Sequence, residues 1–562
     1  MEEASVKLSR NEELKTANPT LAGGIAATLD DAAADHFTQD DYEFLKFHGV
    51  YQQDDRDLRK TAKKYIMMVR SAIPGGVLTA KQWVAMDDMA GRYGNNTLRI
   101  TTRQTIQFHG IVKSNLRALM KGLNDELVST IAACGDVKRN VMAPPTPAYT
   151  LVRSKVLADC YRVTEELKPR TRAYHSIWVD GVQLNLEDDA NKNFVDPLYG
   201  KTYLPRKFKV AFAIPPVNDM DLFTNCVGFI AIVENQELIG YNLVMGGGLG
   251  RSHGNAQTYP RLGDVIGFLT PDQVVNVAKA TLTIHRDFGD RTDRKHARLK
   301  YIIAERGVDW ARAEVEKRAG IRLEPARPYR FTSTGDLYGW RQAVDAKWFL
   351  TLFVETGRVK DVEGRRMKTA LRLVAERFSD IEFRLSANQN VILANIGEDD
   401  RDAINELLVE HGVKTDHRQT TPMHAASMAC PALPTCGLAL AESERMLPGL
   451  VDRIEKLCEA VGMVNEEIII RSTGCPNGCA RPYVAELAFV GKAPGRYQIW
   501  LGGDLAGTRM ARQWKETVKD ADIETELRPI LTRYVNERFN RESFGDWCDR
   551  VLLNEPVSGF SI

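Results

Sequence analysis

At 562 residues the chain is long enough for two to four domains, because single hydrophobic cores stop growing at about 250 to 300 residues. Its 75 basic and 74 acidic residues leave a formal net charge of +1, which excludes the broad electrostatic field of a nucleic-acid- or membrane-binding protein. Nine cysteines are too few for a disulfide scaffold. No stretch reaches the ~18 apolar residues of a membrane helix, and the first thirty residues lack the apolar run of a signal peptide. We therefore expect a cytoplasmic protein that binds neither nucleic acid nor membrane.

Regular hydrophobic patterns begin near Tyr65, and the preceding residues, 1–55, predict an N-terminal arm with little regular structure. The first regular region predicts strands over 65–69, 77–79, 98–102 and 104–111, and helices over 80–90, ending at Gly91, and over 114–127. The same order returns near the middle of the chain, with strands over 349–354, 383–387 and 389–396 and helices over 366–378 and 400–411. A repeated order of elements predicts an internal duplication.

Two pairs of aligned segments support the duplication. LRITTRQTIQFHGI (98–111) aligns with FRLSANQNVILANI (383–396), so that Gln104 matches Gln389. Further along, IGYNLVMGGGLG (239–250) resembles YQIWLGGDLAG (497–507), each an apolar strand that runs into paired glycines. The sequence thus predicts an α+β protein of two homologous halves, each a small α+β unit followed by a larger lobe.

The two halves differ in their charged residues. Arg103 aligns with Asn388, His109 with Ala394, and Arg70 with Leu352. Cationic side chains therefore concentrate in the first half. We interpret His109 as a structural residue rather than a ligand, because a lone histidine beside Phe108 is typical of a core.

The second half carries two close pairs of cysteines, Cys430 with Cys436 and Cys475 with Cys479. Four thiolates can hold zinc or an iron–sulfur cluster, and each pair lies in a stretch rich in Gly and Pro that is typical of turns. The five-residue gap in the first pair weighs against structural zinc, whose pairs usually have gaps of about two to four residues. Zinc and four unrelated buried thiols remain as alternatives. The other five cysteines, which we interpret as reduced thiols, are Cys134, Cys160, Cys226, Cys458 and Cys548.

Four motifs in their order along the chain resemble the siroheme- and [4Fe-4S]-containing assimilatory sulfite/nitrite reductase superfamily. They are RQTIQFHGI (103–111), KTYLPRKFKVAFAIPP (201–216), LVMGGGLG (243–250) and STGCPNGC (472–479). The resemblance covers nearly the whole chain. The YQQDDRD segment (51–57) is more similar to the bacterial NADPH-linked hemoproteins than to ferredoxin-linked members.

The resemblance implies a pseudo-twofold duplicated fold of three domains around a siroheme/[4Fe-4S] centre. It implies a duplicated ferredoxin-like domain formed by residues 56–131 and 334–415. Residues 132–333 would then form a siroheme and substrate lobe, and residues 416–562 a lobe that holds the cluster and siroheme.

The resemblance also implies the site residues. Cys430, Cys436, Cys475 and Cys479 would ligate the cluster, and Cys479 would bridge to the siroheme iron. The siroheme periphery would be held by Arg99, Arg103, Gln107, Arg206, Arg298 and Asn477. Arg70, Arg139, Lys207 and Lys209 would bind the substrate on the distal face. Two departures are Ala480, where relatives often carry Gly, and Arg298, where a relative has Lys.

The implied activity is the six-electron reduction of sulfite, a small oxyanion, to sulfide in assimilatory sulfur metabolism, leading to cysteine biosynthesis. GGGLG (246–250) lacks the G-x-G-x-x-G spacing of a dinucleotide site, so electrons would come from an NADPH-dependent flavoprotein reductase subunit. Nitrite reduction with the same cofactors is the near alternative, and the two lysines favour sulfite. A solvated basic strand is the structural alternative for Lys207 and Lys209.

Overall fold

The computed structural model describes residues 7–59, 61, 63–147, 150–170, 178–179, 182–183 and 195–554. Its α-helices are α1 Arg10–Ala17, α2 Ile25–Asp30, α3 Gln39–Leu45, α4 Ala80–Tyr93, α5 Leu116–Asp125, α6 Thr150–Glu166, α7 Val274–Phe288, α8 Leu299–Arg306, α9 Val308–Ala319, α10 Met367–Arg377, α11 Glu398–Glu410, α12 Pro422–Ala425, α13 Leu447–Ala460, α14 Ile523–Glu537 and α15 Phe544–Trp547. Of the described helices, none is long and apolar enough to cross a membrane.

The strands are β1 Val50–Asp54, β2 Tyr65–Arg70, β3 Val77–Thr79, β4 Leu98–Ile100, β5 Ile106–Ile111, β6 Trp178–Val179, β7 Val182–Gln183, β8 Val210–Ala213, β9 Val227–Glu234, β10 Glu237–Met245, β11 Asp264–Leu269, β12 Gly339–Gln342, β13 Trp348–Leu352, β14 Arg358–Val359, β15 Asp361–Val362, β16 Arg365–Arg366, β17 Glu382–Leu385, β18 Val391–Ile396, β19 Met428–Ala429, β20 Ile470–Thr473, β21 Leu487–Ala493, β22 Arg496–Leu501 and β23 Arg512–Lys519.

The two small α+β units exchange strands. One antiparallel sheet has the order β1-β2-β5-β4-β14, and the other has the order β12-β13-β18-β17-β3. Strand β14 comes from the second unit and pairs with β4 of the first, while β3 of the first unit pairs with β17 of the second. Trp83 on α4 stacks on Phe383 of β17 with ring centroids 4.6 Å apart. Both units therefore share one hydrophobic core.

The two lobes repeat a second topology. In the first lobe β8 runs parallel to β9, which continues antiparallel into β10 and β11. In the second lobe β20 runs parallel to β21, which continues antiparallel into β22 and β23. Val210 pairs with Val227 and Ile470 with Leu487, so positions in these parts of the lobes correspond at an interval of 260 residues. The prediction of a duplicated α+β fold is confirmed.

Three details of the sequence interpretation are wrong. Helix α4 continues through Gly91 to Tyr93, because an interior glycine costs only about 1 kcal/mol and the helix has a capping box at Thr79 and a buried face. Strands β5 and β18 begin two residues later than predicted, since Gln104 and Gln389 have φ of 53° and 72° and form turns. The β-sheet register makes Thr351, not Leu352, the equivalent of Arg70.

The N-terminal arm is more ordered than its composition predicts; its first six residues lie outside the described residues. Helix α1 buries Glu12 and Lys15, which form an ion pair of 2.5 Å. Lys15 also lies 3.5 Å from Asp136 and donates to the carbonyl of Leu204. Internal pairing of opposite charges explains how a polar segment packs against the first lobe.

A buried ion triplet joins the lobes near the pseudo-twofold axis. Asp221 and Arg481 occupy equivalent positions with left-handed φ of 42° and 56°, each before a short 3-10 helix. The Asp221 carboxylate accepts from Arg471 at 2.5 Å and lies 3.1 Å from Arg481. Arg481 also donates to the carbonyl of Ala387 in the second ferredoxin-like unit. The triplet thus connects both lobes and one small unit.

We expect Asp221→Ala to lower the thermal unfolding midpoint markedly, because it removes the ion-pair partner of two buried guanidinium groups, at a cost of about 3–5 kcal/mol. The matched control is Asp125→Ala, which removes the solvent-exposed partner of Lys121 and should cost less than about 1 kcal/mol. Equal midpoints for the two variants, measured by circular dichroism, would contradict this role.

Candidate functional site

The two cysteine pairs lie at the same edge of the second lobe. Strands β19 and β20 run parallel, with Ala429 paired to Ser472. The carboxyl ends of neighbouring parallel strands meet at one edge of a sheet, so Cys430 and Cys475 emerge side by side there. The sequence interpretation expected convergence of the pairs, and the parallel pairing gives the structural reason.

Hydrogen bonds to two of the sulfur atoms and electrostatic interactions between the thiols support this convergence. The N–H of Gly474 donates to Cys430 Sγ at 3.3 Å, and Asn477 Nδ2 donates to Cys475 Sγ at 3.5 Å. Burial and the neighbouring thiols raise the pKa of Cys430, and they raise the pKa of Cys475 to about 12. Burial and the neighbouring Cys479 also raise the pKa of Cys436. All four thiols thus lie near one another.

A single zinc ion would require closely spaced sulfur atoms. Tetrahedral zinc with Zn–S bonds of about 2.3 Å needs sulfur atoms about 3.8 Å apart. Among the described residues, only His424, Asp452 and Glu455 form a group of three ligand atoms within 4.8 Å of one another. The described cysteine sulfurs do not form such a group.

A set of cations faces this edge from the first half; Arg139 and Arg298 are buried and the others are half-buried. Three of its members, Arg206, Lys207 and Lys209, lie on the segment directly before β8. None of the set forms an ion pair with a carboxylate of the described residues. The set consists of Arg70, Arg103, Arg139, Arg206, Lys207, Lys209 and Arg298.

Neutral acceptors hold the arginines in place. Arg103 donates to Asn225 Oδ1 at 2.8 Å and to the carbonyls of Asn140 and Val210. Arg139 donates to the carbonyls of Gly135 and Ala133. Carbonyl and amide oxygens fix the guanidinium planes without neutralising their charge, so the set keeps its capacity for an anionic ligand.

Several polar atoms of this set have no partner in the described structure. They include the buried atoms Arg70 Nε, Arg103 Nε and Arg298 Nε, and Oε1 of Gln107, which is not a cation, is a further buried atom without a partner. Buried polar groups are normally hydrogen-bonded, and a cluster of exceptions indicates a ligand. An anion rich in carboxylates matches these unpartnered N–H groups.

The two lysines have strongly lowered pKa values. Burial and the neighbouring Arg206 and Arg298 hold the pKa of Lys207 well below its ordinary value. Burial, Arg103 and Arg298 lower the pKa of Lys209 to about 7. A lysine with a pKa near neutrality can both bind an anion and release a proton.

Cys479 lies between the thiols and the cations. It is exposed although its chain neighbours are buried, and its carbonyl accepts from Thr102 Oγ1 at 2.9 Å. Its thiol interacts electrostatically with Arg70 and Lys209 on one side and with the other three thiols on the other side. Cys479 thus interacts both with cations of the first half and with the thiols of the second.

The glycine-rich loop 246–250 lies next to the second cysteine pair. Lys300 donates to the carbonyls of Gly248 and Gly250 at 3.1 and 2.8 Å. The N–H of Arg251 donates to the carbonyl of Pro476, which joins the loop to the second cysteine pair. A Cβ atom at Gly247 would lie 2.0 Å from the carbonyl oxygen of Phe223, so this close approach requires glycine.

Arg99 lies outside the cationic set. Its guanidinium donates to Glu444 Oε2 at 2.8 Å and to the carbonyls of Thr356 and Ala429. Although burial raises the pKa of Glu444, Arg99 and Arg358 lower it to about 2. In the described structure Arg99 thus supports the loop next to Cys430, and this network was not visible in the sequence.

Three further residues were missed by the sequence analysis. Cys134 Sγ accepts from Arg70 at 3.2 Å, Cys226 Sγ accepts from Arg298 at 3.5 Å, and Tyr51 hydrogen-bonds to Arg139. These contacts span long sequence separations and leave no local motif. The only available signal was the position of Cys226 directly before a buried strand.

Comparison with known families agrees with the fold. The model described as Nitrite and sulphite reductase 4Fe-4S domain matches residues 159–323. The model described as Nitrite/Sulfite reductase ferredoxin-like half domain matches residues 59–126 and 341–411. These two segments correspond to the two small α+β units that exchange strands.

Similar proteins extend over the whole chain. The "Sulfite reductase [NADPH] hemoprotein beta-component" of Staphylococcus saprophyticus is 46% identical over 98% of this chain and 97% of that protein. The protein of the same name from Myxococcus xanthus is 46% identical over 97% of this chain and 96% of that protein. The solved structure of Mycobacterium tuberculosis NirA protein, 22% identical, covers 97% of this chain and 96% of that chain with a TM-score of 0.78, and so shares the fold. By sequence over nearly its full length, the chain belongs to the sulfite reductase [NADPH] hemoprotein beta-component family of nitrite and sulfite reductases.

Proposed function

We propose that this chain reduces sulfite to sulfide at a siroheme coupled to a [4Fe-4S] cluster, for assimilation of sulfur into cysteine. The observation that carries the proposal is the proximity of Cys479 both to three other thiols and to a largely buried set of cations without carboxylate partners. The 46% identity to sulfite reductase hemoproteins supports it. The domains would be the arm 1–55, the ferredoxin-like pair 56–131 and 334–415, the lobe 132–333 and the cluster lobe 416–562.

The four paired cysteines fit a [4Fe-4S] cluster. N–H groups of Gly474 and Asn477 already point at two of their sulfurs. Hydrogen bonds to cluster sulfurs tune reduction potential. Cys430, Cys436, Cys475 and Cys479 would hold the cluster, and Cys479 would also meet the siroheme iron.

The cationic set fits siroheme, which carries eight carboxylates. Arg103, Arg206, Arg298, Gln107 and Asn477 would hold its periphery, and the unpartnered Nε atoms supply donors of matching chemistry. Arg99, in this proposal, acts on the same centre through Glu444 and the carbonyl of Ala429. When bound, siroheme and cluster supply electrons one at a time and a metal at which sulfite is held.

Four side chains would act on sulfite itself. Arg70 and Arg139 would bind the oxyanion, and their positive charge would stabilise the charge that develops as each S–O bond breaks. Lys207 and Lys209 would bind sulfite and deliver protons to the departing oxygens, which leave as water. The lowered lysine pKa values support proton transfer near neutral pH.

The electron donor would be a separate NADPH-dependent flavoprotein subunit. The glycine loop is engaged by Lys300 and by the second cysteine pair, and it lacks the spacing of a nucleotide site. The word NADPH in the relatives' names supports such a partner. A reducing compartment, the cytoplasm, suits the unpaired thiols.

The first experiment supplies the purified chain with reduced viologen and measures sulfide formed from sulfite, with nitrite in parallel. We expect efficient sulfide formation without a partner protein and slower nitrite turnover. Absence of sulfide from an iron-containing, coloured preparation, together with rapid ammonia formation from nitrite, would replace sulfite by nitrite as the substrate.

Lys207→Ala should lower sulfite turnover by about 10²-fold or more, since it removes a charge next to the reacting oxyanion, while the siroheme spectrum stays unchanged. The matched control is Lys279→Ala, which removes a lysine that pairs with Glu166 away from the cavity. Loss of siroheme from Lys207→Ala would assign this lysine to cofactor binding instead.

Cys479→Ser should abolish sulfide formation and disturb both the iron–sulfur and the siroheme spectra, because one sulfur is proposed to serve both groups. Cys458→Ser is the control, since this thiol lies on α13 outside the paired set. A Cys479→Ser protein with normal coupling between the two spectra would refute the bridge.

A further inference from the structure

A cavity of about 410 Å³ lies between the first lobe and the second small α+β unit, and we call it the α6 cavity. Its volume is in the range of small-molecule sites in proteins. Helix α6 lines it with Arg153, Leu157 and Tyr161, and the second small unit lines it with Trp348 and Arg384. None of the paired cysteines and no member of the cationic set is among its described lining residues. The α6 cavity is therefore separate from the site described above.

Arg153 is the buried polar side chain of this cavity. The residue is only 5% exposed, and its Nε donates to the carbonyl of Pro144 at 2.8 Å. Its Nη2 is buried and has no hydrogen-bond partner in the described structure. Buried polar groups are normally hydrogen-bonded, so an unused N–H at the wall of a cavity indicates a ligand that accepts from it.

The charged residues of the wall leave one positive charge. The cations are Arg153, Lys347 and Arg384, and the acids are Asp345 and Glu382. Glu382 already pairs with Arg384 at 2.6 Å. Burial and the charge of Arg384 lower the pKa of Arg153, which means that its positive charge is disfavoured there. A bound anion with a single negative charge would balance this charge and accept the unused N–H.

The equivalent arginine of the other half has a different charge environment. Arg99 aligns with Arg384, and Glu444 accepts hydrogen bonds from both Arg99 and Arg358. Beside the α6 cavity, in the described part of the chain, Glu382 forms an ion pair with Arg384 alone. The carboxylate that two arginines share in one half thus has no counterpart in the other, and a ligand carboxylate would fill this role.

The apolar part of the wall favours an aromatic ligand. Leu157 and the 41% exposed Tyr161 line the cavity from α6, and Trp348 lines it from β13. The indole of Trp348 is held in place, because its Nε1 donates to Glu398 and the guanidinium of Arg401 lies 4.6 Å from its ring centroid. Fixed aromatic side chains offer flat apolar surface at little cost in conformational entropy.

We propose that the α6 cavity binds a small aromatic carboxylate, whose carboxylate accepts hydrogen bonds from Arg153 and whose ring packs against Tyr161 and Trp348. The proposal does not rest on the reduction of sulfite, because the cavity shares no lining residue with that site.

Isothermal titration calorimetry of the purified full-length chain with benzoate tests the proposal. We expect one saturable site. Benzyl alcohol has the ring without the charge and inorganic phosphate has a charge without the ring, so each should bind at least about tenfold more weakly. Absence of benzoate binding, or equal affinity for benzoate and either comparison compound, would overturn the proposal.

Arg153→Met keeps an unbranched apolar side chain and removes the charge, so the affinity for benzoate should fall by about tenfold or more. The matched control is Arg162→Met, which removes a guanidinium of the same helix that pairs with Asp159 and does not line the cavity. Benzoate affinity that is unchanged in Arg153→Met, or that falls equally in both variants, would contradict a site at Arg153.

A second variant fills the cavity without changing the buried arginine. Ala158 is an exposed residue of α6 that lines the cavity, so Ala158→Trp should prevent benzoate binding whether or not Arg153→Met folds. Leu151→Trp, at a 65% exposed position of the same helix outside the lining, is the control and should bind benzoate normally. Undiminished binding in a folded Ala158→Trp protein would place benzoate elsewhere and overturn the proposal.

Discussion

Burial of positive charge without internal carboxylates is the constraint around which this protein is built. Seven Arg and Lys side chains lie near the cysteine pairs, and carbonyl or amide oxygens hold several of them without neutralising them. Such an arrangement is stable only with an anionic ligand or an internal counter-charge. The cysteine pairs, of which Cys479 interacts with both the cations and the other thiols, add redox-capable groups to the same region.

The duplication places residues of opposite charge at equivalent positions of the two lobes. At equivalent positions the first lobe has Arg206 and Lys207 and the second lobe has Glu466 and Glu467. The reverse holds for the ligand set, because the position of Cys479 in the second lobe is occupied by Asp219 in the first. Two copies of one backbone therefore supply opposite halves of a single site.

The same symmetry stabilises the junction. Asp221 and Arg481 are equivalent residues that contact each other across the axis, and the left-handed backbone at both places the side chains toward the partner lobe. The exchanged strands β3 and β14 join the small units in the same reciprocal way. The site is assembled from segments far apart in sequence. An ion pair joins the two lobes, and exchanged strands join the two small units.

The sequence by itself determined the order of elements, the duplication and the candidate ligands, since these depend on local periodicity, aligned motifs and close cysteine spacing. The tertiary structure alone decided that Gln104 lies in a turn, that Arg99 serves Glu444, and that the small units exchange strands. It alone also revealed Asp221 and Cys226, whose partners are 250 and 72 residues away. Pairing of buried charges depends on distance in space, and no local pattern of residues encodes that distance.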